Sequence, residues 1–477
     1  MQRWGVWGLI TLAAVLRIRQ YAANRSLWLD EAKLSLNILH RNYAQLWQPL
    51  DYHQGAPIGF LLLQKAATLL LGTSEYALRL VPLLAGILSI FLFYLLAKRV
   101  TSAAPLALAL FAMSPSLIYY SSEVKQYSSD VMVALLLLYL GTSGRAVLLG
   151  VFGAIAVWFS HPAIFALAGI GFVMVLRGWK YVPPFLLPAA SFLLCYFTVL
   201  RKLSQDAVLH TYWQPNFIPK NLSAFKWLGH SFFDFFASSG ALTFLGLAGF
   251  AFLCGCISLF KRNKEILFLL LSPVVFVLLA SAAQKYPFGG RLTLFMVPVA
   301  LLLMAEGAET LRVIIGDQFG VILVLLLLLD PGKYSLHRFV TPLEPTARYG
   351  VMPLEEMRPV VREVEDHIQS GDYVYLYHMA QPAFRYYAER LGFSTQNVET
   401  GIASGRDPHV YEADTQQLAG KRVWVVLSHM EGAAADEPKY LRFAFDLHGQ
   451  RVESFFSPGA EADLYEVQTG LLPFNVN

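Results

Sequence analysis

The stretch VPLLAGILSIFLFYLLAKRV, residues Val81–Val100, decides how the rest of the chain is read. No charge appears between Val81 and Ala97, and then Lys98 and Arg99 close the run. A membrane-crossing helix needs about 20 apolar residues, and the residues just before Val81 complete one over 76–98. Basic residues gathered at one end mark that end as cytoplasmic, because Lys and Arg are enriched in cytoplasmic loops.

The signature repeats. Apolar runs near 4–20, 104–120, 128–142, 145–160, 162–177, 181–200, 239–260, 265–283, 291–309 and 312–329 bring the expectation to about eleven spans. A further run at 56–72 is interrupted by Gln64 and Lys65 and is expected to lie in the interface. Composition agrees. Of 477 residues 56% are hydrophobic and 15% charged, where a soluble domain carries roughly 25% charged. The shortfall is confined to residues 1–330.

Arg3, Lys98, Arg99, Arg145, Arg177, Lys180, Lys261, Arg262, Lys264 and Arg312 fall on alternate ends of these runs, which assigns those ends to the cytoplasm. Arg17, Arg19 and Arg25 fall on the other side, against the rule. Outside then lie 21–75, 114–127, the turn at 160–162, 201–238, 284–290 and everything after 330. The first apolar segment lacks a small-residue cleavage site and reads as a retained anchor. A net charge of +4 gives no reason to expect a nucleic acid partner. Cys195, Cys254 and Cys256 sit in apolar runs without metal-ligand spacing and read as small apolar side chains.

The expected fold class is thus an all-α polytopic membrane bundle of 1–334, with interfacial helices in its first outer loop. A small extracytoplasmic α/β domain, 335–477, follows. In that tail PLEEMRPVVREVEDHI, PAFRYYAERLG and EPKYLRFAFDLHG read as helices, and DYVYLYH, RVWVVLSH, QRVESFF and DLYEV as strands. No glycine-rich phosphate loop follows a strand, so no nucleotide is assigned.

The unusual polar residues collect on the outer side. Asp30 and Glu31, in RSLWLDEA, open an amphipathic helix, where acids suit the helix dipole. The same position can present a general base at the membrane surface. Glu123, Lys125 and Tyr127 lie in YYSSEVKQYSSD, which reads as a solvated loop or as a second carboxylate with a phosphate-pairing lysine. His53, in YHQGAP, reads as an interface histidine or a ligand. KYPFGGR sets Lys285, Tyr286 and Arg291 at a tight outer turn, which reads as a short connector whose basic groups snorkel to lipid headgroups or as a phosphate clamp, the outer side being unusual for positive charge. HTYWQPNFIP supplies Trp213 among other aromatics.

At these residues the chain resembles the type-C glycosyltransferase superfamily. SLWLDEA, HQGAPIGFLLLQKAATLLLGTSEYALRLVPLLAGILSIFLFYLLAKRV, SPSLIYYSSEVKQYSSD and KYPFGGRLTLFMVP carry the likeness, in that order and over roughly residues 1–310. It is nearest the protein O-mannosyltransferase-like branch, glycosyltransferase family 39 and bacterial relatives such as the lipid A aminoarabinose transferases. The resemblance implies an inner-membrane enzyme that moves a sugar from a polyprenyl phosphate to a hydroxyl on a glycan, lipid or protein, with inversion. It implies Asp30 as base with Glu31 and Glu123 beside the reaction. Lys125, Lys285 and Arg291 are then expected on the donor phosphate, and His53, Tyr127, Tyr286 and Trp213 against substrate. The prenyl chain is placed along FFDFF or TYWQPNF. A divalent ion on Asp30, Glu123 or His53 is allowed but not required. The chain departs from the family where Ala56 replaces a proline and Lys125 an arginine, which loses a bidentate fork. A flippase or a non-catalytic binder of prenyl-linked sugars would use the same residues. A transporter is expected to show inverted repeats and midplane charges, and neither is visible.

Overall fold

Helices follow the apolar runs in the computed structural model, which describes residues 2–242, 244–343, 354–403, 408–430 and 436–469. Chain contacts divide it into two compact units, one of residues 2–24 and 37–342, the other of 25–36 with the residues from 354 onward.

The chain begins with α1 (Gln2–Ala22), α2 (Leu29–His40), α3 (Ile58–Leu71), α4 (Glu75–Val100), α5 (Ala104–Ala112) and α6 (Pro115–Tyr120). Next come α7 (Tyr127–Thr142), α8 (Ala146–Phe159), α9 (Ala163–Leu176) and α10 (Val182–Cys195). Short pieces follow, α11 (Arg201–Leu203), α12 (Ala207–Trp213) and α13 (Ser223–Asp234), before α14 (Leu245–Ala282), α15 (Val297–Ile315) and α16 (Asp317–Val340). Among the described residues, five segments are long and apolar enough to cross a membrane: Glu75–Val100, Trp179–Leu203, Leu245–Ala282, Gly290–Ile315 and Asp317–Val340. The run expected over 104–120 is split into α5 and α6, because Pro115 starts a new helix. The runs 239–260 and 265–283 are two arms of α14 meeting at Asn263, whose φ of −156° is not helical. Its Oδ1 accepts from Ile266 N at 3.2 Å, so it caps the second arm.

Leu84, Leu88, Phe91 and Leu95 form an exposed stripe along α4, while Gly86, Ser89, Phe93 and Leu96 on the other faces are buried. A soluble monomer rarely displays such a surface; against lipid it needs no cover. α14 and α15 meet at two glycines. A Cβ on Gly307 would stand 1.8 Å from the Ala251 carbonyl oxygen, and one on Gly255 1.9 Å from that of Leu303. Small residues let membrane helices approach this closely. The arginines that break the charge rule are bound internally. Arg17 donates to the carbonyls of Ala13 and Phe111, and Arg19 to that of Phe339.

The second unit holds α17 (Met357–His367), β1 (Tyr373–Leu376), α18 (Gln381–Leu391), β2 (Val398–Thr400), α19 (Pro408–Gln417), β3 (Arg422–Ser428), α20 (Glu437–His448), β4 (Gly449–Ser457) and β5 (Ala460–Val467). The sheet order is β2-β1-β3-β5-β4. β1 runs parallel to β2 and β3, and β5 antiparallel to β3 and β4. Gly392 ends α18 with φ 76°, where a side chain would be strained. The chain leaves β1 to one side for β2 and returns to its other side for β3, so the connections diverge between β1 and β3.

Candidate functional site

Asp30 and Glu31 belong to the second unit, with the tail. Their helix, α2, starts at Leu29 behind Trp28, which offers no side-chain acceptor for the free amides of the first turn. The acceptors come from more than 300 residues away. Leu29 N donates to Glu355 Oε2 at 3.1 Å, and Leu27 N to the Tyr387 hydroxyl at 2.8 Å. Ser26 gives both its amide and its hydroxyl to Glu356, each at 2.9 Å. Its oxygen in turn accepts from Arg358 N at 3.2 Å. Glu31 is fully buried and pairs with Arg25 at 3.0 Å, which gives that third awkward arginine an internal partner too.

Asp30 is half-buried, next along the helix from the capped Leu29. Its charge is felt by Lys33 and by His429. Burial lowers the Lys33 pKa, with Asp30 and Glu355 pulling the other way. Burial also pulls His429 down, but the Glu355 hydrogen bond and the charges of Glu355 and Asp30 outweigh it and leave His429 above its ordinary value. His429 Nδ1 lies 2.7 Å from Glu355 Oε1.

In the first unit, segment 121–126 is buried throughout. SSEVKQ is therefore no solvated loop. The Lys125 ammonium donates to Gln54 Oε1, and Gln126 Nε2 to the Gly55 carbonyl at 3.4 Å. That seats the segment on YHQGAP. Gly86 permits it, since a Cβ there would meet Ser121 Cβ at 2.6 Å. The Arg291 guanidinium lies over Tyr127 at 5.8 Å and over Trp213 at 5.9 Å. Glu123 and Arg291 both act on the Tyr120 hydroxyl. The turn 284–291 is fastened to 213–218, with Phe288 N on the Asn216 carbonyl at 2.8 Å and Gln284 Nε2 on that of Ile218 at 3.0 Å. Glu123, Tyr127, Arg291 and Trp213, from three parts of the sequence, thus surround one place.

The other expected residues make contacts of their own. Lys285 is exposed. The Tyr286 hydroxyl donates to the Leu292 carbonyl at 3.0 Å and its ring packs on Phe165. His53 is exposed and its Nδ1 faces Asp206 at 2.9 Å, so the group it engages is not a carboxylate of the expected set. Among the described residues, the trio with ligand atoms within 4.8 Å of one another is Glu363, His367 and Glu453 in the tail, with His367 and Glu453 exposed. Sequence reasoning missed Gln54, Tyr120 and buried Asp130 in the first unit. In the second it missed Glu355, Glu356 and His429. The adjacent acids of PLEE were the one available signal.

No family model matches the chain, and no curated protein does. Solved structures do. ArnT from Cupriavidus metallidurans bound to undecaprenyl phosphate aligns over 96% of this chain and 98% of its own, with TM-score 0.54 at 12% identity. The same protein in the apo state aligns over 96% and 97%, with TM-score 0.53 at 13% identity. The chain therefore shares the ArnT fold, a set of apolar helices followed by a small C-terminal sheet domain. The likeness to ArnT runs over nearly the whole length of both chains.

Proposed function

We propose that this chain is a glycosyltransferase that takes a sugar from a polyprenyl phosphate and passes it to an acceptor hydroxyl on the extracytoplasmic face of the inner membrane. The observation that carries the reading is the grouping of buried Glu123 and Tyr127 with half-buried Trp213 and Arg291, and of buried Lys125 two residues from Glu123, in a fold shared with a protein that binds undecaprenyl phosphate. A cation beside aromatic rings in a water-poor setting suits a phosphate that gains charge as its sugar departs.

In the proposed reaction the acceptor O–H proton passes to the Asp30 carboxylate. The oxygen bonds to the anomeric carbon from the face opposite the phosphate. The bond from that carbon to phosphate oxygen breaks, and polyprenyl phosphate leaves with the electron pair. Inversion follows from the single displacement. Arg291 and Lys125 balance the leaving phosphate, and Glu123 sets the charge around Arg291. Lys125 would exchange its Gln54 acceptor for a phosphate oxygen. Glu31 holds Arg25 and takes no proton. The acceptor is a glycan, lipid or protein hydroxyl, and no metal step is included.

The test is transfer of labelled sugar from a synthetic polyprenyl phosphate by the purified protein in nanodiscs. Asp30→Asn and Arg291→Gln are expected to lower kcat by about 10²-fold or more. If Asp30→Asn and Glu123→Gln both retain wild-type transfer, the reading fails. Donor movement across the bilayer without transfer would make the chain a flippase.

A further inference from the structure

We propose that Glu355 is a positioning residue for Asp30: it caps α2 from the tail, so that the C-terminal domain is a working part of the first outer loop. The inference rests on the reading of Asp30 as the base.

Three facts carry it. First, the residue before α2 carries no side-chain acceptor. Trp28 precedes it, and the nearby hydroxyl of Ser26 is bonded to Glu356 instead. The amide that opens the helix is satisfied by Glu355, a carboxylate at the positive end of the helix dipole. Asp30 is the next residue, so its direction depends on that bond. Second, Glu355 is itself fixed. It is 2% exposed, and its other oxygen meets His429. His429 has φ 58°, a left-handed conformation that a histidine keeps only where its surroundings impose it. Third, the place is where such domains hold ligands. α/β sheets bind at the carboxyl ends of strands where the connections diverge. His378 and His429 follow β1 and β3 at that point, and Lys33 of α2 acts on both. Here the occupant is residues 25–36 of the chain itself.

The experiment pairs steady-state transfer with amide exchange in the full-length protein in nanodiscs. Glu355→Ala should lower kcat by about 10- to 100-fold while KM for the synthetic donor moves less than about twofold, the pattern of a misplaced group. Exchange over residues 26–36 should quicken by about tenfold, with β1 and β3 still protected. Glu355→Gln keeps an acceptor for Leu29 N and should recover most of kcat. Should Glu355→Ala lose protection in β1 and β3 as well, His429→Gln, which removes the charge that steadies Glu355, replaces it with the same expectations. Unchanged exchange overturns the cap. Quickened exchange with unchanged kcat overturns the positioning role. Asp30→Asn, run alongside, separates the two ideas. If it keeps full transfer, the base assignment has failed and the positioning role with it, while exchange still reports the cap.

Discussion

The Arg25–Glu31 pair tests whether two adjacent acids have separate roles. Its atoms are 3.0 Å apart and its side chains are 5% and 0% exposed. At an effective dielectric of about 20, 332/(20 × 3.0) gives a gross attraction of about 5.5 kcal/mol. Desolvating both charges offsets most of that, but removing one partner leaves the other buried and unpaired, at a cost of about 3–5 kcal/mol. At about 1.4 kcal/mol per tenfold, Glu31→Gln should quicken the slow amide exchange of residues 25–36 by about 10²-fold or more. Exchange is the right assay because a multidomain membrane protein has no single two-state unfolding. Arg25→Met with Glu31→Leu removes both charges at similar volume, and should restore most of the protection and the sugar transfer. Two results refute the reasoning. One is a single variant whose exchange moves less than about threefold. The other is a well-protected double variant that remains inactive, which would put Glu31 in the chemistry.

Arg291→Lys keeps the charge but loses the planar group that lies over Tyr127 and Trp213; transfer by it should fall between wild type and Arg291→Gln. His53→Ala breaks an exposed pair with Asp206, so the unfolding temperature in detergent should barely move. Gly307→Ala places a Cβ against the Ala251 carbonyl and should lower that temperature clearly, with reduced yield in the membrane fraction. The charged His429–Glu355 pair contributes fully below the ordinary histidine pKa of about 6.5 and is lost as pH rises through the raised value. Exchange at Leu29 should therefore quicken between about pH 6 and 8 by more than it does in unstructured reference amides, and His429→Gln should abolish the excess.

The helices were legible because lipid leaves a chain few choices: backbone groups must pair within the segment, so Val81–Val100 announces itself. Side-chain periodicity likewise gave β1, β3, β4 and β5 of the tail. It missed β2, three residues long and mostly exposed. The break between α5 and α6 was missed because hydropathy averages over Pro115. In the first unit the residues that the fold brings together were legible where they were chemically out of place, as with Glu123 and Arg291. Gln54 and Tyr120 are ordinary in composition and became visible only through their partners. Glu355 was hidden for another reason: a cap supplied across 326 residues leaves no local pattern at either end.

The paired acids of RSLWLDEA show why local pattern underdetermines role. Successive residues on an α-helix are turned by about 100° from one another. Two adjacent acids at a helix start therefore cannot face the same surroundings. Glu31 turns inward, is fully buried and meets Arg25. Asp30 is only half-buried and meets the charges of Lys33 and His429. The sequence presents them as a pair, and the dipole argument applies to both. Burial separates them: an ion-paired carboxylate with no access to solvent has no acceptor proton to collect, whereas a half-exposed one, with its backbone direction set by Glu355, can.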